Sequence, residues 1–270
     1  MKNKRSFMRS IAAAPHTFWA TLFIILPLII VIYYAFTDAE GAFSLENIAS
    51  LSDYVAIFGL SIELSIIATF ICLIIGYPLA YIIAKADPNH QKIFIMLLML
   101  PMWTNLLIRT YSIMAILDDG GFLNSLLGTT MHIVGTKGAV IFGMVYDFLP
   151  YMVLPIYTCI SKIDRNMWEA ASDLGCNTFN TLTRVILPLS LSGIISGVTM
   201  VFVPSISTFY ISQKLGGGTF ELIGDTIERQ FVMGAYNTGA TISLVMMILI
   251  IISLGIMNKF TEDDNGGIIP

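Results

Sequence analysis

Asp164–Pro188 reads DRNMWEAASDLGCNTFNTLTRVILP and interrupts a chain otherwise rich in membrane-grade apolar runs. Asp164 is placed to cap a helix that starts at Arg165, its carboxylate accepting from an otherwise unpaired backbone N–H. Met167, Ala170, Ala171 and Leu174 follow at i, i+3, i+4 and i+7, which gives that helix one apolar face. Gly175 stands where a C′ glycine ends a helix. About ten residues at 1.5 Å each make a rod of about 15 Å, too short to cross a bilayer. A second short segment, Thr178–Val185, leads to Pro188, where a long apolar run begins. The stretch reads as a compact helix–turn–helix between two membrane spans.

Two uses compete for it. An amphipathic helix lying on lipid is common in membrane proteins. Here the apolar face is small and rich in alanine, and Glu169 and Asp173, at i and i+4, set two carboxylates where anionic headgroups would repel them. A small apolar knob flanked by acids suits a protein groove better. Glu169-Ala170-Ala171, Gly175 four residues on, and Val185-Ile186-Leu187-Pro188 resemble the EAA loop of ABC-type import permeases. That pattern is E-A-A, three residues, G, nine residues and I-x-L-P, and the chain departs from it in having Val185 for the isoleucine. The resemblance implies that loop 164–188 is a coupling helix docking in a cleft of a cytoplasmic ATPase, with Glu169, Ala170, Ala171, Asp173 and Gly175 as coupling residues.

Composition sets the class independently. The 270 residues are 56% hydrophobic and 12% charged, about half the charge of a soluble domain, and the mean hydropathy is +0.80. This is an all-α polytopic membrane protein in expectation, a single transmembrane domain over residues 1–270. Cys72, Cys159 and Cys176 are widely spaced and suggest neither a disulfide framework nor a metal site. His16, His90 and His132 lie far apart. No phosphate loop, nucleophile elbow or H-E-x-x-H occurs, so the chain itself is expected to carry no ATP site, cofactor or enzymatic chemistry.

Six apolar runs read as spans, at about 17–36, 60–84, 93–117, 138–160, 187–212 and 239–257. The first follows Lys2, Lys4, Arg5 and Arg9 and, at about 20 residues, is longer than a signal-peptide core, so it reads as an uncleaved span. Lys and Arg sort by side. With the amino terminus go Lys85 and Lys92 in the 2–3 turn, Lys162, Arg165 and Arg184 in the EAA region, and Lys259 in the tail. Of the fourteen bases, only Lys137, Lys214 and Arg229 lie on the other side, and Arg109 falls within a span. The positive-inside rule puts both termini and the EAA loop in the cytoplasm.

Glu63, Arg109 and Asp147 lie within runs that read as spans, where ionisable residues are costly and mark functional sites. Arg109 and Asp147 each sit roughly 12–14 Å below the outer surface at 1.5 Å per residue. Equal depth makes them candidates for one ion pair, either a structural tie between spans 3 and 4 or part of a transport path. Glu63, near the outer end of its span, reads as an interfacial acid. Span 3 opens with Leu100-Pro101-Met102-Trp103-Thr104-Asn105, and span 5 has Pro204, Ser205, Ser207, Thr208 and Tyr210. Broken spans bearing hydroxyls suggest a path near the midplane, although small and hydroxyl residues also serve helix packing. Trp103 and Tyr210 offer aromatic faces for a cation. Trp103, Asn105, Asp147 and Tyr210 are the candidate lining.

The Leu100–Leu117 string, Leu45-Glu46-Asn47, Gly76-Tyr77-Pro78 and the EAA segment together resemble the spermidine/putrescine branch of these permeases over essentially the whole chain. The resemblance implies the six-span type I ABC importer permease fold in a bacterial cytoplasmic membrane. It also implies a second permease forming a heterodimer, two cytoplasmic ABC ATPase subunits carrying ATP and Mg, and an extracytoplasmic polyamine-binding protein. Lipid surrounds such a chain, and no nucleic-acid partner is implied. Acids on the outward side (Asp38, Glu40, Glu46, Asp53, Glu63, Asp118, Asp119, Glu221, Asp225 and Glu228) suit a cationic cargo, though positive-inside sorting alone also leaves an acidic outer face. The same machine carrying thiamine, iron, sulfate or molybdate is the nearest alternative. A stand-alone secondary transporter or channel is the alternative of another class, and it leaves the EAA loop without a use.

Overall fold

The computed structural model describes residues 15–38, 40–129, 131–173 and 175–265. The basic residues Lys2, Lys4, Arg5 and Arg9 fall outside these, as does Leu174, and so do the side chains of Arg165 and Glu169. Apart from one isolated bridge between Thr37 and Phe43, regular structure among the described residues is helical. Two compact units divide the chain. One holds residues up to Val55 together with Thr226–Leu249, and the other holds Ala56–Asp225 together with residues from Ile250 on.

In the first unit, α1 (Pro15–Ala35) is apolar all round and almost unburied within the chain, which suits a helix whose neighbours are lipid or another protein. Its last turn is tied to residues 237–241. Asn237 donates through Nδ2 to the Thr37 carbonyl at 2.6 Å, and Thr241 donates through Oγ1 to the Ala35 carbonyl at 3.2 Å. The bond to Ala35 satisfies a carbonyl that the helix end leaves unpaired.

The second unit contains α2 (Val55–Lys85) from its second residue on, α3 (Pro88–Trp103), α4 (Leu106–Leu117), the short α5 (Phe122–Leu127) and α6 (Lys137–Ile160). It continues with α7 (Arg165–Asp173), a run α8 over residues 178–189 with a π turn at Leu182–Ile186, α9 (Leu191–Ser207) and α10 (Tyr210–Leu215). Helices α11 (Ile223–Val232) and α12 (Tyr236–Asn265) complete the chain. Four helices are long and apolar enough to cross a membrane, or up to six if each of two bent pairs is one span.

The runs at 93–117 and 187–212, read from sequence as broken spans, each coincide with a bent pair of helices. Between α3 and α4 the chain turns by 92° at Thr104–Asn105, just after Pro101. Thr104 closes the freed end by donating its backbone N–H and its hydroxyl to the Pro101 carbonyl, at 3.2 and 2.7 Å. A second bend, of 65°, falls at Ser190 between α8 and α9, not at Pro204. Pro204 lies inside α9, and the chain breaks again at Thr208–Phe209, so Tyr210 belongs to a separate short helix.

Lipid offers helices little hydrophobic reason to associate, so close van der Waals fit holds them. Helix α9 supplies it with Gly193 and Gly197, four residues apart. A Cβ on Gly193 would stand 2.7 Å from Cys159 Cβ and 3.0 Å from the Pro155 carbonyl, and one on Gly197 would stand 2.8 Å from Met152 Sδ. Gly76 of α2 approaches the same Met152 from another helix, its Cβ position 2.9 Å from Cγ. Met152 is fully buried at the centre of a core with Tyr77, Tyr81, Ile156, Ile160 and Ile186. A second core, of Leu64, Ile113, Val140, Met144, Ile211 and Leu215, lies toward the Lys137 end of α6.

Candidate functional site

At one end of α6 lies α7. Asp164 accepts the backbone N–H of Asn166 at 3.0 Å, the cap that its place before the helix requires. Gly175 adopts φ +78°, and the Cys176 N–H reaches the Ala171 carbonyl at 3.0 Å, closing a Schellman end. The face expected to act as one knob is divided: Met167 and Ala170 are exposed, whereas Ala171 is buried against the chain itself. Asp173 and Gly175 are exposed.

The helix is seated by Trp168, whose ring stacks on Tyr81 of α2. Beneath it a cleft of about 510 Å³ is lined by Lys85, Asp87, Gln91, Ser161, Ile163 and Trp168, among others. Gln91 braces that cleft. Its Nε2 donates to the Ala84 and Ala86 carbonyls at 3.1 and 2.8 Å, and its Oε1 accepts from the Tyr157 hydroxyl at 2.9 Å. The bend that follows is fixed by a 3.0 Å hydrogen bond between the hydroxyls of Tyr77 and Ser190.

Within the helices, Arg109 Nη1 stands 3.0 Å from Asp147 Oδ1, with the side chains 13% and 2% exposed. The approach has ion-pair distance without hydrogen-bond alignment. Both carboxylate oxygens and Arg109 Nε are buried with no hydrogen-bond partner. A buried charge in that state is expensive unless something else completes it. Arg109 also lines a groove of about 290 Å³ with Thr104, Ile108, Ser112, Phe142 and Tyr146.

Trp103 and Asn105 lie at the α3–α4 bend. Trp103 is 72% exposed, and Asn105 Oδ1 is occupied as the cap of α4, accepting from Leu107 N–H at 2.8 Å. Tyr210 meets Tyr111 of α4 edge-to-face, ring centroids 6.3 Å apart. Lys214 Nζ lies over both rings, 5.4 Å from the Tyr111 centroid and 5.8 Å from that of Tyr210. Sequence reasoning placed Lys214 in an outer loop and gave Tyr111 no role. The four-residue spacing of Tyr210 and Lys214, one helical turn, was the available signal.

The acidic side also needs correction. Asp225 does not face out: it is buried and accepts from Ser212 Oγ at 2.9 Å and from Leu222 N–H at 2.8 Å. Glu63 pairs with Lys137 at 3.6 Å, and Asp119 with His132 at 2.6 Å.

Four to six apolar helices long enough to cross a membrane, with an ion pair buried among them, are those of a multi-pass membrane protein. A sequence model of the family described as binding-protein-dependent transport system inner membrane component matches residues 73–263, and the chain belongs to that family. It is thus a transport protein of the inner membrane rather than an enzyme. The chain is 37% identical to the spermidine/putrescine transport system permease protein PotB of Escherichia coli, over 90% of this chain and 97% of that one. It is 36% identical to the PotB protein of Haemophilus influenzae, over 86% and 88%. The fold matches that of a bacterial ABC transporter involved in the import of the acidic polysaccharide alginate, with a TM-score of 0.81 at 16% identity and 96% coverage of each chain.

Proposed function

We propose that this chain is the transmembrane permease subunit of an ATP-driven importer of spermidine or putrescine. The observation that carries the cargo class is the Tyr111–Tyr210 corner, which holds an alkylammonium, that of Lys214. A polyamine presents the same group at each end, and the names of the relatives support the same reading. Aromatic faces attract such cations through the ring quadrupole. Asp147, with its uncompleted carboxylate, supplies a negative charge within the helices.

In this reading the termini and α7 face the cytoplasm. A second permease completes the path, two ATPase subunits grip α7 through Glu169, Ala170, Asp173 and Gly175, and an extracytoplasmic binding protein delivers the cargo. Closure of the ATPases moves α7, and its seat on Tyr81 passes that motion to α2. The path is lined by Tyr210 and Asp147, with Trp103 and Asn105 at the α3–α4 bend. The test is uptake of radiolabelled spermidine by cells lacking this gene, complemented with wild type or with Glu169→Lys. Uptake is expected with wild type and absent with Glu169→Lys at equal membrane abundance. Uptake unaffected by the deletion would overturn the cargo.

A further inference from the structure

Lys214 is a cation set over the aromatic pair that would receive another cation. Its stem rises from α10, and the helix itself is fixed. Ile211, Ser212 and Leu215 are buried, a Cβ on Gly143 of α6 would stand 2.4 Å from Leu215 Cδ1, and the Leu215 carbonyl accepts the Gly135 N–H at 2.8 Å. What can leave the corner is therefore the flexible lysine side chain, four methylenes long. Among the described residues no carboxylate pairs with it, so the tyrosine pair is what holds its ammonium there, the Tyr111 hydroxyl by a hydrogen bond and the rings by their faces. Tyr111 lies six residues before the end of α4 at Leu117, about 9 Å along the helix.

We infer that Lys214 is a tethered competitor for the cargo: its ammonium occupies the Tyr111–Tyr210 corner until a cargo ammonium displaces it. This rests on the polyamine reading above. Two ammonium groups cannot share this corner, because like charges at contact repel and Lys214 already takes up the Tyr111 hydroxyl and the ring faces. The corner is therefore closed to a free polyamine while Lys214 is seated. It opens when a conformational step draws the side chain away or when a cargo delivered at high local concentration outcompetes it. Lys214 thus sets specificity by raising the threshold for passage of any amine, including one that arrives without the binding protein.

The experiment uses proteoliposomes holding the complete transporter with ATP, and measures radiolabelled spermidine uptake with and without loaded binding protein. Lys214→Gln is expected to raise uptake without binding protein several-fold over wild type. Lys214→Cys should leak in the same way, and treatment with 2-aminoethyl methanethiosulfonate, which rebuilds a tethered ammonium at that position, should suppress the leak within the same sample. Methyl methanethiosulfonate, which adds no charge, should not, and wild type treated alike controls for Cys72, Cys159 and Cys176. The before-and-after comparison does not depend on how much of each variant folds. Wild type that imports spermidine from its binding protein, beside variants with no leak, would overturn the competitor alone. Wild type that imports no spermidine would overturn the cargo reading and the competitor with it.

Discussion

Trp168 stacks on Tyr81 with ring centroids 5.5 Å apart and 27° between the planes, and this aromatic pair seats α7 on α2. Lys85 Nζ lies 5.9 Å from the same Tyr81 ring. A helix of nine residues has little stability of its own. Its position relative to the spans depends on this seat, Trp168 packing against the same buried cluster as Ile163, Leu182 and Val185.

Removing the ring should therefore loosen transmission before it loosens the fold. Trp168→Ala forfeits a stacked pair of about 1 kcal/mol beyond its buried area, and about a fivefold fall in uptake follows if that energy is spent holding α7 in register. Membrane abundance is expected to stay near wild type, and Trp168→Phe should recover most of the uptake. ATPase activity stimulated by loaded binding protein, measured on purified complex, is the direct check. Full stimulation in Trp168→Ala would show that α7 is held by other contacts.

Gly175 is a second control point on the same helix. Its φ of +78° costs a residue with a side chain about 1–2 kcal/mol, while no atom lies within 4 Å of where a Cβ would go. Strain, not crowding, is the whole effect. Gly175→Ala should thus lower uptake several-fold, and Gly175→Asn, which tolerates the left-handed region better, should lower it less. Equal losses in the two variants would point to a contact made by the glycine itself with a partner.

The packing of α9 on α6 predicts a different pattern, a loss of protein rather than of coupling. Gly197→Val pushes methyls into Met152, whose sulfur and carbonyl stand 2.8 and 3.0 Å from the Cβ position. Overpacking of this kind costs about 1–3 kcal/mol and should lower the melting temperature of the detergent-extracted protein by several degrees. Gly255→Val on α12 is the matched control: nothing lies within 4 Å of its Cβ position, so the same side chain meets no neighbour there and only its helix propensity acts. An equal drop in both variants would mean that helix backbone effects, not the α6–α9 contact, set the stability.

These contacts differ in how far the sequence discloses them. The ends of α7 are local chemistry: Asp164 and Gly175 act within four residues of their own positions, so spacing alone reveals them. The nearness of Arg109 and Asp147 follows from counting residues along two helices. The Tyr111–Tyr210–Lys214 corner does not, because it depends on the breaks at Asn105 and Phe209, which detach α4 and α10 from the runs that precede them. Gly193 and Gly197 are visible as a pair, yet nothing local names Met152 as their partner, and a buried Asp225 looks in sequence like any loop acid.

The last prediction separates two roles for the intramembrane pair. Arg109→Leu leaves Asp147 buried with no countercharge, and removing one partner of a buried pair costs about 3–5 kcal/mol, so membrane abundance should collapse. Asp147→Asn keeps the volume and still turns an amide oxygen to the guanidinium. Its abundance should hold, while spermidine uptake falls about tenfold if the carboxylate serves a passing cation. The exchange of Arg109→Asp with Asp147→Arg completes the test, because it restores the pair and therefore the melting temperature but moves the negative charge to α4. A stable exchange variant with uptake still low would assign Asp147 to the path. Uptake that returned together with stability would assign the pair to holding α4 against α6 and nothing more.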